Sequence, residues 1–234
     1  GCMDRSLKPL DVVYGGSLGA DRSRVLRNTY ALLALSMVPT VLGAWVGVAF
    51  GFSLLPGSPL ISALLFLGIA FAFFYGIEKT KHTGMGVVLL LAFTFFMGLM
   101  LSRLLGFALG LSNGVQLVSM AFGGTATVFV GMAALANTVK RDLSSMGKWL
   151  FMGMLVMIVA GLANIWLQMP ALMLAVSAMS VLIFSAFILY DLKRIIDGGE
   201  TNYVSATLSV YLSVYNVFTS LLQLLMALGG ASDD

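Results

Sequence analysis

Along the last apolar stretch, SATLSVYLSVYNVFTSLLQLL, six polar residues recur at steps of four, four, three, four and three: Ser205, Ser209, Ser213, Asn216, Ser220 and Gln223. That spacing is one face of a helix. Leu, Val and Phe fill most of the rest. Hydroxyl and amide groups cannot be satisfied by hydrocarbon, so the line should turn toward protein or water. Two chemistries fit it. The groups can form hydrogen bonds between helices, each worth about 1 kcal/mol or less, or they can border a polar pathway. A second candidate lies just upstream, in LIFSAFILYDLKRIIDGGETNY, where Asp191 ends a greasy run and Lys193 and Arg194 follow at once. A carboxylate there can hold or pass a cation. It can equally sit at the membrane surface and pair with Arg194 at i,i+3, worth a few tenths of a kcal/mol (about 0.2–0.5). A third is Arg103, within about two turns of the end of its apolar run, where a long side chain can snorkel to headgroups.

The elements that carry these residues follow from composition. The chain is 59% hydrophobic and only 10% charged, against about 25% charged in a soluble domain, and its mean hydropathy is +1.00. A surface so poor in charge belongs in a bilayer. Runs of roughly 20 apolar residues mark spanning helices, and seven are found, at 31–52, 60–77, 86–105, 115–137, 149–167, 171–190 and 204–228. LPGSP, EKTKHTG, GLSNG, VKRDLSSMGK, QMP and DGGETN separate them. The fold class is an all-α integral membrane protein, with the polar seventh helix having neighbours on several sides. Gly43, Gly47 and Gly51, four apart, make a groove for close approach of another helix. Gly198 and Gly199 read as the end of the sixth helix.

Twelve of the 13 cations, all but Arg103, fall before the first run or after the second, fourth and sixth. The positive-inside rule makes that side cytoplasmic, with the amino terminus inside and the carboxyl terminus outside. Residues 1–26 are polar and lack an apolar period, and are expected as a flexible cytoplasmic tail. Residues 27–228 form the membrane domain and 229–234 a short outer tail. The first apolar run is too long and begins too late for a cleaved leader, so it should remain as an anchor. The pI near 9.1 does not point to nucleic acid, because the cations are spread between the runs. One cysteine and one histidine exclude an internal disulfide and a histidine-rich metal site. No phosphate-binding glycine loop, zinc motif or serine elbow is present, which argues against an enzyme.

The segments VLRNTY, GGTA, GLANIWLQMPAL and GGETNYVSATLSVYLSVYNVFTSLL closely resemble bacterial members of the Bax inhibitor family, and the resemblance runs from Val25 to Leu225. It implies seven helices with the last in the middle of the other six. It implies an inner-membrane location and a link to the membrane-bound ATP-dependent protease FtsH, as substrate and modulator. The 1–26 tail is the handle such a protease would grip. The resemblance also implies a calcium leak, closed in some members by an aspartate pair on the sixth and seventh helices. Two carboxylates in contact cannot both ionise cheaply, so such a pair responds to pH. Asp191 in ILYDLKRII matches the first acid, but Asn216 in SVYNVFTSLL stands at the second position. An amide supplies no like-charge repulsion, so the pH switch of the paired members is in doubt here. No cofactor is implied, and calcium enters only as a transported ion.

Overall fold

The computed structural model describes residues 8–54 and 57–229, with side chains from residue 18 onward. It is built of helices: α1 (Lys8–Phe50), α2 (Pro59–Thr80), α3 (Gly84–Leu109), α4 (Gly114–Thr138), α5 (Met146–Leu167), α6 (Pro170–Ile196) and α7 (Tyr203–Gly229). All seven are long and apolar enough to cross a membrane. Their apolar centres coincide with the seven runs read from sequence.

The punctuation acts as its chemistry dictates. Pro59 and Pro170 open α2 and α6, where a missing N–H costs nothing. The short QMP joint closes because Gln168 adopts a left-handed conformation and its N–H reaches the Asn164 carbonyl at 2.8 Å. Gly198, at φ +83°, ends α6, and the Gly199 N–H donates to the Arg194 carbonyl at 2.8 Å.

The boundary drawn at residue 26 is corrected. Helix α1 already runs from Lys8, with Pro9 near its start, and Val25 and Leu26 pack against the core. Apolar periodicity marks only the part of a helix that meets a core. Propagation beyond it costs little once the helix exists, so polarity alone placed the boundary too late. Residues 1–7 lie outside the described residues, as do 230–234 of the expected outer tail; Gly229 is the last residue of α7.

The closest packing is between α1 and α3, which contact each other more extensively than any other pair. A Cβ at Gly43 would sit 2.2 Å from the Phe95 carbonyl oxygen, and one at Gly98 would sit 2.1 Å from that of Thr40. The glycine groove expected from the four-residue spacing is thus filled by α3, although Gly51 instead ends α1 at φ +64° with nothing near it.

Helix α7 packs against α1, α2, α3, α4 and α6. It does not touch α5, which leans on α6 and, slightly, on α2. Five of the other six helices therefore pack directly on α7. Only Met157 of α5 is buried, because an apolar helix needs no protein cover where lipid supplies it. The core around α7 joins Ile77, Phe93, Ile188, Leu192, Val210 and Tyr211.

Candidate functional site

Two bonds fix how α6 and α7 lie side by side. Ser220 Oγ donates to Ser180 Oγ at 2.8 Å, and Ser177 Oγ donates to the Gln223 side-chain oxygen at 3.1 Å. The helices are antiparallel, so three residues inward on one match three outward on the other, as this pair of bonds shows. Stepping that register along the seam places Phe184 level with Asn216, Phe187 level with Ser213 and Asp191 level with Ser209. The same register brings Ile196, the last residue of α6, level with the start of α7 at Tyr203–Val204. With about 100° of turn per residue, Asp191 falls on the α6 face that carries Ser177 and Ser180. Ser209 falls on the α7 face that carries Ser220.

No hydrogen bond joins Asp191 to Asn216, the two residues that the resemblance placed at the paired positions. Seven residues of α6 separate Asp191 from the level of Asn216, about 10 Å along the axis. Asn216 instead donates from its amide to the Leu212 carbonyl of its own helix at 2.7 Å. Nor does Asp191 take the surface role beside Arg194. The Arg194 guanidinium approaches Glu200 at 3.8 Å and lies over the Tyr190 ring. Asp191 is 9% exposed, and no hydrogen bond or ion pair to its carboxyl is found among the described residues. It lies five residues from the end of α6, about 7.5 Å inside.

The rest of the polar line divides along its length. Ser213 and Ser220 are buried, while Asn216 and Gln223 are half-buried. Ser205 donates to Glu78 of α2 at 3.2 Å. Ser209 is exposed. The line thus meets α2 at one end and α6 at the other. Away from the cationic loops the line is closed by side-chain pairs, and nearer them Ser209 is exposed.

The loops around Asp191 share one end of the molecule. Asn202 donates to the Lys81 carbonyl at 3.0 Å, joining the turns after α2 and α6. The Arg22 guanidinium lies against Gly198, close enough that a Cβ there would meet Nε at 2.6 Å. A cavity of ≈ 450 Å³ opens between the α4–α5 loop and the end of α6, lined by Asp142, Ser144, Tyr190, Lys193, Arg194 and Asp197 among others. Lys193 is buried there and bonds Asp197 at 3.1 Å. The Ser144 N–H donates to Asp142 and holds that carboxyl below its usual range. Lys81, on the neighbouring loop, is held above the usual lysine range by its hydrogen bond to Glu78. The charged loops that the positive-inside argument grouped together meet at this cationic end.

Three features on α7 and α6 went unread in the sequence. Tyr211, fully buried, bonds Thr40 of α1 at 2.7 Å. Thr40 spends its own hydrogen on the Ser36 carbonyl, so the tyrosine is the donor. Tyr215 donates to the Met97 carbonyl of α3 at 3.0 Å. The signal was available: two tyrosines four apart inside a span need partners for their hydroxyls. Lys193 was counted only as a topological charge. Arg103 is exposed near the opposite end of α3, with no acid beside it among the described residues.

The family model described as "Inhibitor of apoptosis-promoting Bax1" matches residues 22–230. A relative from Escherichia coli K12, named "Modulator of FtsH protease YccA", is 41% identical over 212 residues, 90% of this chain and 92% of that protein. A protein of Neisseria meningitidis serogroup A is 38% identical over 213 residues, covering 89% of this chain and 93% of its own. A membrane protein of Vibrio cholerae is 38% identical over 205 residues, 88% and 90% of the two chains.

Proposed function

Since the chain belongs to the Bax inhibitor family, matched across nearly all of its membrane domain, we propose that it modulates the membrane-bound protease FtsH in a bacterial inner membrane and is itself a substrate of that protease. One observation carries this reading: the relative named for that activity is 41% identical over nine-tenths of both chains. A relative from a second Escherichia coli strain, equally similar, is named an inner membrane protein. The protein performs no chemistry in this role. It competes for the protease and offers it a starting segment. That segment is the cationic stretch ahead of the first span, where α1 begins at Lys8, well before its first fully buried residue, Thr29. The experiment uses proteoliposomes containing FtsH and a second membrane substrate. Adding the full-length protein should slow loss of the second substrate, and deleting residues 4–17 should slow loss of the protein itself. Unchanged turnover of both would overturn the proposal.

A second reading, a passive cation leak with calcium as the ion, is favoured by Asp191. It is a buried carboxyl without a hydrogen-bonding partner among the described residues, and the register of α6 on α7 sets it level with the exposed Ser209. One carboxylate and nearby hydroxyls make a weak calcium site, which suits passage better than storage. In this reading the acid works with Ser209, and Asn216 lies deeper along the same route. Liposomes containing only this protein should leak calcium, and Asp191→Asn should reduce that leak. Equal flux from empty and loaded liposomes removes the reading.

A further inference from the structure

At the end of the molecule opposite the cationic loops, a groove of ≈ 270 Å³ lies between α2 and α3 and under the chain leaving α1. Its walls are apolar: Phe52, Phe66, Leu99 and Met100. Ser62 stands at its side, and Arg103 is its one charged lining residue. The arginine is six residues from the end of α3, about 9 Å along the axis, and is exposed. No carboxylate approaches it among the described residues. Every acid whose side chain is described, from Asp21 to Glu200, lies on segments at the cationic end.

An unpaired guanidinium at this depth is costly in hydrocarbon and is retained where it meets an anion or the headgroup layer. Here it stands at the mouth of an aromatic and aliphatic groove. That combination fits a molecule with a negative head and a hydrocarbon tail, and the surrounding bilayer supplies one. We propose that this groove is a binding site for an anionic phospholipid of the leaflet facing away from the cationic loops, with Arg103 on the phosphate and one acyl chain along Phe52, Phe66 and Leu99. A guanidinium matches a phosphate with two parallel N–H···O bonds. With no acid nearby among the described residues, the ammonium of a zwitterionic lipid finds no partner, so the site favours net negative lipids. The side chain does more than snorkel: the groove gives its anion a fixed position.

The test is native mass spectrometry of the full chain, released from detergent containing phosphatidylglycerol or phosphatidylcholine with the same acyl chains. The wild type should retain phosphatidylglycerol roughly tenfold more than phosphatidylcholine, whose ammonium offsets the phosphate charge at Arg103 and meets no acid there. Arg103→Gln should erase the preference, and Arg103→Lys should keep part of it. Ala63→Trp, which fills the groove and leaves the arginine in place, should also erase it. Helical circular dichroism checks that each variant is folded. An unchanged preference in Arg103→Gln, or none in the wild type, overturns the site. A preference that survives Ala63→Trp overturns the groove's part in it.

Discussion

Replacing Asp191 and Ser209 by cysteine, in a chain whose one cysteine, Cys2, is first changed to serine, reads the α6–α7 register directly. Two cysteines form a disulfide when their Cα atoms are about 4.4–6.8 Å apart. Packed helices have axes about 8–10 Å apart, which brings facing Cα atoms into that range. Stepped eleven residues along ideal helices, the register of the Ser180–Ser220 and Ser177–Gln223 bonds predicts that Asp191 and Ser209 are level and on facing sides. The same register puts Asn216 about 10 Å further along, which adds to the lateral gap and takes Asp191 and Asn216 well outside the window. Mild oxidation in membranes should therefore link D191C to S209C about as completely as S180C to S220C. D191C and N216C should stay reduced. Trypsin makes the readout simple, because it cleaves after Lys193 and Arg194, between the two positions. A linked pair appears in the mass spectrum as two peptides joined by a reducible bond. If D191C joins N216C readily and S209C does not, the register is wrong and the aspartate–asparagine partnership returns.

Other perturbations follow from the same contacts. Gly98→Ala should destabilise the protein in detergent by about 1–3 kcal/mol, since its Cβ would meet the Thr40 carbonyl at 2.1 Å. Gly68→Ala, with open space around it, should be neutral or stabilising by up to about 1 kcal/mol; equal melting temperatures would refute the α1–α3 contact. Thr40→Val should cost more than Tyr211→Phe, about 1–3 against about 0.5–1.5 kcal/mol. The first leaves a buried tyrosine hydroxyl without an acceptor, while in the second Thr40 keeps its bond to Ser36. The reverse order in thermal melts would mean the threonine is the donor. Ser220→Ala should lose only about 0.6 kcal/mol, the usual worth of a hydrogen bond between membrane helices, measured as a shift in denaturant midpoint.

Much of the fold was legible because the bilayer imposes a single length rule. Seven apolar runs bounded by Gly, Pro and charge became seven helices, and the four-residue glycine spacing became the α1–α3 seam. The limits of legibility lie where the sequence carries no long-range information. Periodicity showed that Ser213, Asn216, Ser220 and Gln223 share a face, but not which helix that face meets or at what height. Height decides the partners of Asp191, and it is set by serines on α6 that read as ordinary hydroxyls within an apolar run. The start of α1 was misplaced for a different reason: a helix that leaves the membrane keeps its hydrogen bonds but loses its apolar stripe. Residues 18–24 are exposed all round, so nothing in their pattern distinguishes helix from tail.

The two ends of the polar seam are built differently, and that bears on both readings of function. Toward the cationic end, Asp191 is buried without a hydrogen bond among the described residues and Ser209 is exposed. The loops there are tied together by Asn202 and by Arg22 against Gly198. Toward the other end, Ser180 with Ser220 and Ser177 with Gln223 form side-chain pairs across the two helices. A continuous conduit along this seam must break those pairs, each of which is cheap to open by comparison with helix packing. The seam is therefore bonded across α6 and α7 at the end away from the cationic loops, and its Ser209 end carries no such pair among the described residues. Arg22 belongs to the same helix that a protease would grip from its start. Pulling on α1 would withdraw Arg22 from the α6–α7 turn and Thr40 from Tyr211 before any span left the membrane. Those two contacts lie on α1, apart from the serine pairs that join α6 to α7, so extraction by a protease and opening of the seam would begin at different contacts.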